Sequence, residues 1–228
     1  LVGFALLGGL TTLMSSGTTW ALGGPNLVLQ GKKSEFSTAK LSTTDVGFGI
    51  IPIQVQTGSG EETRYVLRMG FADGSLDGFC LSQTERILGI DWTVRVTSRD
   101  DAINVADVSG KNVQFDITYA TSTNTPNTSG NGITLRGNVA LGVASQAITT
   151  WTDGTGNAVV NPLEGPNDFA GVNGRLFGVD SDVGELYNLK GDIYDAVIEG
   201  PLQVKNLRID VVRGSQDTAG CKARPIVY

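Results

Sequence analysis

From Asn26 onward the apolar and polar residues of this chain alternate with a period of two, not the 3.6 of an amphipathic helix. Tyr65, Leu67 and Met69 alternate with Val66 and Arg68; Trp92, Val94 and Val96 with Thr93, Arg95 and Thr97; Val113, Phe115, Ile117 and Tyr119 with Gln114, Asp116 and Thr118. A strand sends successive side chains to opposite faces, so each run predicts a strand with one buried and one open face. Further strands are predicted over 35–40, 47–55, 103–108, 133–143, 146–151, 184–189 and 192–198.

Within 202–212, Leu202 and Val204 set one phase and Leu207, Ile209 and Val211 the opposite one. The slip at Lys205–Asn206 predicts a β-bulge or a bend. Pro52, inside an apolar run, marks an edge strand or a kink, because it has no N–H to give to a neighbouring strand. Turn signals fall at Ser109-Gly110, Asn131-Gly132, Asp153-Gly154, Asn173-Gly174 and Gly200-Pro201. Many short strands between such turns predict an all-β domain over 23–228, built as a sandwich, a half-barrel or a solenoid-like sheet. Two stretches do not read as strand: the polar loop 120–131, which holds the sequon Asn127-Thr128-Ser129, and the Gly/Asn/Pro-rich insertion 152–171.

The first 22 residues follow a different rule. Leu1–Leu22 carries no charge, and as a helix it would reach ~33 Å, enough to span a bilayer core. We read it as one retained hydrophobic helix, a membrane anchor or an assembly helix; a cleaved secretory signal is the alternative. Ala5 and Gly9, and Gly8, Thr12 and Ser16, recur four apart, a spacing that lets helix backbones approach closely. Gly23-Gly24-Pro25 ends that helix.

Composition narrows the chemistry. The chain has 228 residues, no histidine, two cysteines, and a net charge of −6. Without imidazole, the Ser-His-Asp and Cys-His mechanisms lose their general base, and His-bearing zinc sites are excluded. The longest basic cluster is Lys32–Lys33, so nucleic acid is not an expected partner. Cys80 and Cys221 are not in a CxxC motif; an even count suggests one disulfide, the alternative being two buried free thiols.

The remaining candidate sites are partial. Asp180, Asp182 and Glu185, in DSDVGE, resemble the start of a calcium loop but lack its third carboxylate and distal glutamate. Asp73 and Asp77 form another acidic pair, read as solvated turn residues. Asp100 with Asp101, and Glu61 with Glu62, are adjacent, whereas glycoside cleavage needs opposed carboxyl groups. Gly58-Ser59-Gly60 lacks the outer residues of a nucleophile elbow. Trp92, Phe115, Tyr119 and Trp151 could line a pocket for a lipid or sterol, the competing reading being aromatic core. No catalytic residue and no cofactor is assigned.

Phe71–Ser82, FADGSLDGFCLS, followed by the apolar turn Leu88-Gly89, together with 193–221, which contains GPLQVKNLRIDVVRG and a near-terminal cysteine, resembles an uncharacterised family of exported actinobacterial proteins. Lys33–Leu41, KSEFSTAKL, fits the same order. Some members carry a cholesterol-esterase label. The resemblance implies an actinobacterial cell envelope and pairs Cys80 with Cys221; it transfers no catalytic residue.

These readings combine into one expectation. The chain is a non-enzymatic, extracytoplasmic protein of the cell surface, a structural or accessory subunit of a membrane-associated or filamentous assembly. Residues 1–22 would contact a membrane or other hydrophobic helices, and the β domain would form a homo-oligomer or join a larger envelope complex. A binding module for a lipid or sterol-like ligand and a secreted lipid or sterol esterase are the alternatives.

Overall fold

The computed structural model describes residues 33–57, 60–99, 105–123, 132–144, 177–198 and 201–224. They form eight strands, β1 (Ser34–Thr57), β2 (Gly60–Ile87), β3 (Ile90–Ser98), β4 (Val108–Thr121), β5 (Ile133–Ala144), β6 (Phe177–Ile198), β7 (Leu202–Val204) and β8 (Arg208–Arg213), and one short helix, α1 (Gln216–Ala219). The protein is all-β. Every pairing is antiparallel. The predicted N-terminal helix, with Ala5, Gly8, Gly9, Thr12 and Ser16, lies outside the described residues, as do Trp151, the sequon, the insertion 152–171 and the strand predicted over 146–151. Among the described residues no helix is long and apolar enough to cross a membrane.

Four strands close on themselves: β1 lies beside β2, β2 beside β4, β4 beside β6, and β6 beside β1. The long strands serve more than one sheet. β2 meets β4 over Leu67–Leu76 and then β3 over Phe79–Ile87; β6 meets β5 near its start and β4 near its end. The segments predicted as separate strands at 35–40 and 47–55 are therefore one strand, as are 184–189 and 192–198. β3 and β8 extend beyond the closed part as a wing, joined to it through β2.

The alternation read from the sequence builds the core. Leu67, Met69 and Phe71 of β2 face Ile117, Phe115 and Val113 of β4 in register, and pack with Phe36, Leu41, Val46, Leu186, Leu189 and Ile193. The Phe115 ring stacks on Phe36 at 6.4 Å between centroids and tilts against Phe71 at 5.9 Å. Fully burying each such side chain contributes roughly 1.5–3 kcal/mol.

One expectation fails here. The pattern puts Val66, Arg68 and Asp116 on an open face, but all three are buried: Val66 packs with Tyr194 and Ile51, and Arg68 grips Asp116. Tyr65, assigned to the buried phase, is 67 % exposed. In a closed circuit the second face of a strand can be covered by other parts of the same sheet, which periodicity alone does not report.

The phase slip in 202–212 is a full break. β7 pairs with β4 and β8 with β3, separated by Asn206 at φ 48°. Ser109-Gly110 is not a turn; it lies in β4, paired with Ser75 and Gly74. Of the strand predicted over 103–108, residues 103 and 104 lie outside the described residues and β4 begins at Val108; Asp107 before it is a buried loop residue that accepts a hydrogen bond from the Gly78 N–H at 2.8 Å. Leu88-Gly89 is a two-residue hairpin, both residues at positive φ, closed by the pair Ile87 and Ile90. Pro52 lies in β1, in register with Tyr65 of β2, beyond the last described register pair of β1 with β6, Gly49–Gly178.

Candidate functional site

The disulfide organises the most distinctive part of the surface. Cys80 of β2 is joined to Cys221, with Cα atoms 5.8 Å apart. α1 and the turn after it lie across β2, β1 and β6 as a strap. The Cys221 N–H donates to Ser82 Oγ at 2.9 Å, and the Lys222 N–H to buried Glu35 Oε2 at 3.2 Å. Lys222 Nζ reaches Asp192 Oδ1 at 2.6 Å and Glu35 Oε1 at 3.4 Å, while Lys190 Nζ donates to the carbonyls of Lys222 and Arg224. Burial works against the Lys222 charge, but Asp192 and Glu35 outweigh it and raise its pKa.

Between this strap and the wing is a cavity of about 140 Å³. Register explains its lining. Ser37, Cys80, Thr97 and Arg208 follow one another across β1, β2, β3 and β8, and Ser82, Arg95 and Asp210 form the next row on the same face. Arg95, Arg99, Arg208 and Arg224 line the cavity with a single carboxylate, Asp210. Asp210 is shared: Arg208 Nε donates to Oδ1 at 2.9 Å and Arg95 Nη2 lies 3.5 Å from Oδ2. The Arg95 side chain is 12 % exposed, and its buried Nε has no hydrogen-bond partner among the described residues. Desolvation, then repulsion from Arg224 and Arg208, lower its pKa despite Asp210.

The opposite face of the wing is apolar. Trp92, Val94 and Val96 of β3 face Arg213, Val211 and Ile209 of β8. Leu81, in register with Val96, still packs on the core, but moving outward the cover thins: Ile209 is 53 % and Val211 45 % exposed, and Leu207 beside them 55 %. No strand among the described residues pairs with the outer edge of β8.

Of the four aromatic residues read as a pocket, the three described ones do not come together. Phe115 is in the core, Trp92 is on the apolar face of the wing, and Trp151 lies outside the described residues. Tyr119 is exposed past a register shift in β4, with Lys222 Nζ 5.7 Å above its ring.

The metal candidates separate as well, and among the described residues no group of three His, Cys, Asp or Glu is placed to hold an ion. On one strand Asp180 and Asp182 face one way and Glu185 the other. Asp182 Oδ2 accepts from the Asn138 N–H and side-chain amide at 2.9 and 3.1 Å, at a bulge where Gly137 takes φ +84°. Asp45, opposite Asp182, has its pKa raised by burial and then by repulsion from Asp182, Asp180 and Asp73.

Glu185 is held by Lys40 at 2.8 Å and by Arg136. The Lys40 hydrogen bond, opposed by burial, lowers its pKa, with the charges of Lys40 and Arg136 adding to the shift. A depressed carboxylate pKa contributes stability above the unfolded value, and that stability is lost as pH falls through the folded one. Glu185→Gln is therefore expected to lower stability by roughly 0.5–1 kcal/mol at pH 7. In urea unfolding the gap to wild type should close at a pH below the ordinary carboxylate range; a gap independent of pH would refute the ionic role.

The cavity arginines are missed by sequence reading because they come from β3, β8 and the strap, far apart in the chain. The one available signal is that Arg208 and Asp210 recur two apart, out of phase with Ile209 and Val211. No curated protein and no solved structure matches the chain. A family of unknown function (DUF6230) matches residues 30–222, most of the chain including both cysteines, and the protein belongs to that family.

Proposed function

We propose that the protein is a non-enzymatic structural subunit of an extracytoplasmic surface, in an actinobacterial cell envelope, that assembles with copies of itself through the wing. One observation carries this reading: the sequence patterns Trp92, Val94, Val96, Ile209 and Val211 for burial, yet the outer part of that face is exposed beside a strand edge that no described strand pairs with. Soluble proteins ordinarily blunt such edges, since the free N–H and C=O groups invite another strand.

β8 is self-complementary for this purpose. Antiparallel pairing about a two-fold axis at Ile209 sets Arg208 against Asp210 of the partner subunit and Leu207 against Val211 of the partner subunit. Opposite charges and apolar groups then meet on their own faces. Leu1–Leu22, if retained, would tether the assembly to a membrane or add helix contacts. The dispersed aromatic residues give an apolar-ligand role no support, and a serine esterase would have no imidazole to activate its nucleophile.

Ile209→Lys places a charge on the proposed axis. Sedimentation analysis is expected to show a dimer or larger species for the wild type at micromolar concentration and a monomer for the variant. Equal masses for the two proteins would overturn the proposal.

A further inference from the structure

We propose that the cavity between the wing and the C-terminal strap binds a phosphate group, held by Arg95 at its floor and by Arg208 and Arg224 at its rim.

The case begins with charge. The chain carries −6 overall, yet the cavity lining holds four guanidinium groups, Arg95, Arg99, Arg208 and Arg224, and one carboxylate, Asp210. Guanidinium groups keep their charge, so the lining carries a local positive excess. A phosphomonoester near pH 7 carries about −1.5 to −2 and matches that excess, with oxygen acceptors for the forked N–H donors.

Geometry agrees. The Arg95 Nε donor is buried without a hydrogen-bond partner among the described residues, and an unmade hydrogen bond to a charged buried group is costly. The disulfide and the strap's hydrogen bonds hold Arg224 against the rim, so the donors are positioned before any ligand arrives. A volume of about 140 Å³ corresponds to roughly four or five waters. That suits one tetrahedral oxyanion with a small attached group better than a lipid chain. Desolvation and the repulsion Arg95 receives from Arg224 and Arg208 are what such an anion would offset.

Two sources could supply the group: free phosphate, or a phosphate ester exposed on a larger envelope molecule. Calorimetric titration of the full-length oxidised protein with inorganic phosphate and, separately, with glycerol 3-phosphate separates them. In buffer with about 0.15 M sodium chloride, surface charge alone is screened beyond roughly 8 Å. Binding of at least one of the two is expected. Tighter binding of inorganic phosphate assigns the site to the free ion, and tighter binding of glycerol phosphate to an ester.

Arg224→Gln, on the exposed strap, and Arg208→Gln are each expected to weaken that binding by about tenfold or more. The proposed assembly would bring Asp210 of the partner subunit beside Arg208, so both anions are also titrated into Ile209→Lys; binding there that Arg224→Gln weakens keeps this site apart from the assembly proposal. Absence of binding by both anions, or equal affinity in wild type and Arg224→Gln, would overturn the inference.

Discussion

Reducing the Cys80–Cys221 bond is expected to lower the folding stability by about 4–5 kcal/mol, the largest effect of any single change considered for this protein. The bond closes a loop of 141 positions. In the chain-entropy account, a cross-link over so long a loop removes many conformations from the unfolded ensemble, and the benefit grows with the logarithm of loop length. The reduced chain also unfolds to a more expanded state, so its urea dependence should steepen while its midpoint falls. Unfolding curves of oxidised protein and of the Cys80→Ala, Cys221→Ala double variant provide the comparison. Coincident midpoints would mean that the strap's other contacts, Glu35 and Asp192 with Lys222 and Ser82 with the Cys221 N–H, suffice to hold it.

Asp116→Ala is expected to destabilise the protein by about 3–5 kcal/mol. Arg68 donates to Asp116 through two parallel bonds, Nε to Oδ1 at 2.6 Å and a terminal nitrogen to Oδ2 at 2.7 Å, with both side chains at most 6 % exposed. Removing the carboxylate strands a buried guanidinium without its counter-ion. Replacing both partners with apolar residues, Arg68→Met with Asp116→Leu, removes the charge together with its counter-ion. That pair is expected to recover most of the loss, because a buried ion pair is expensive to break yet adds little net stability over a packed apolar pair. A loss below about 1 kcal/mol in Asp116→Ala, or a double variant no better than the single one, would contradict this account of the buried pair.

How much of this was legible in advance follows from what period-two patterning measures. Leu67, Met69, Val113, Phe115 and Ile117 were readable as one buried face, because the same face meets the core along both strands. The lengths of β1, β2 and β6 were not, since a strand that changes partner keeps its alternation while Asp45, Gly78 or Asn188, each at positive φ, resembles a break. Tyr119 was assigned to the core and left it because register shifts between Asp116 and Tyr119 displace the pattern. The acidic run at Asp180–Glu185 looked like a ligand set only while read along the chain. Across the sheet Glu185 belongs to Lys40 and Arg136, and Asp182 to Asn138.

By itself the sequence determined the all-β class, the turn at Leu88-Gly89 and the absence of imidazole chemistry. These depend on neighbours a few residues apart or on composition. The closed circuit, the burial of Arg68 with Asp116, the open apolar face of β8 and the arginine-lined cavity were decided only by tertiary structure. Each depends on which strands lie side by side, and strand pairing joins residues by register across a sheet, a relation that no local spacing encodes.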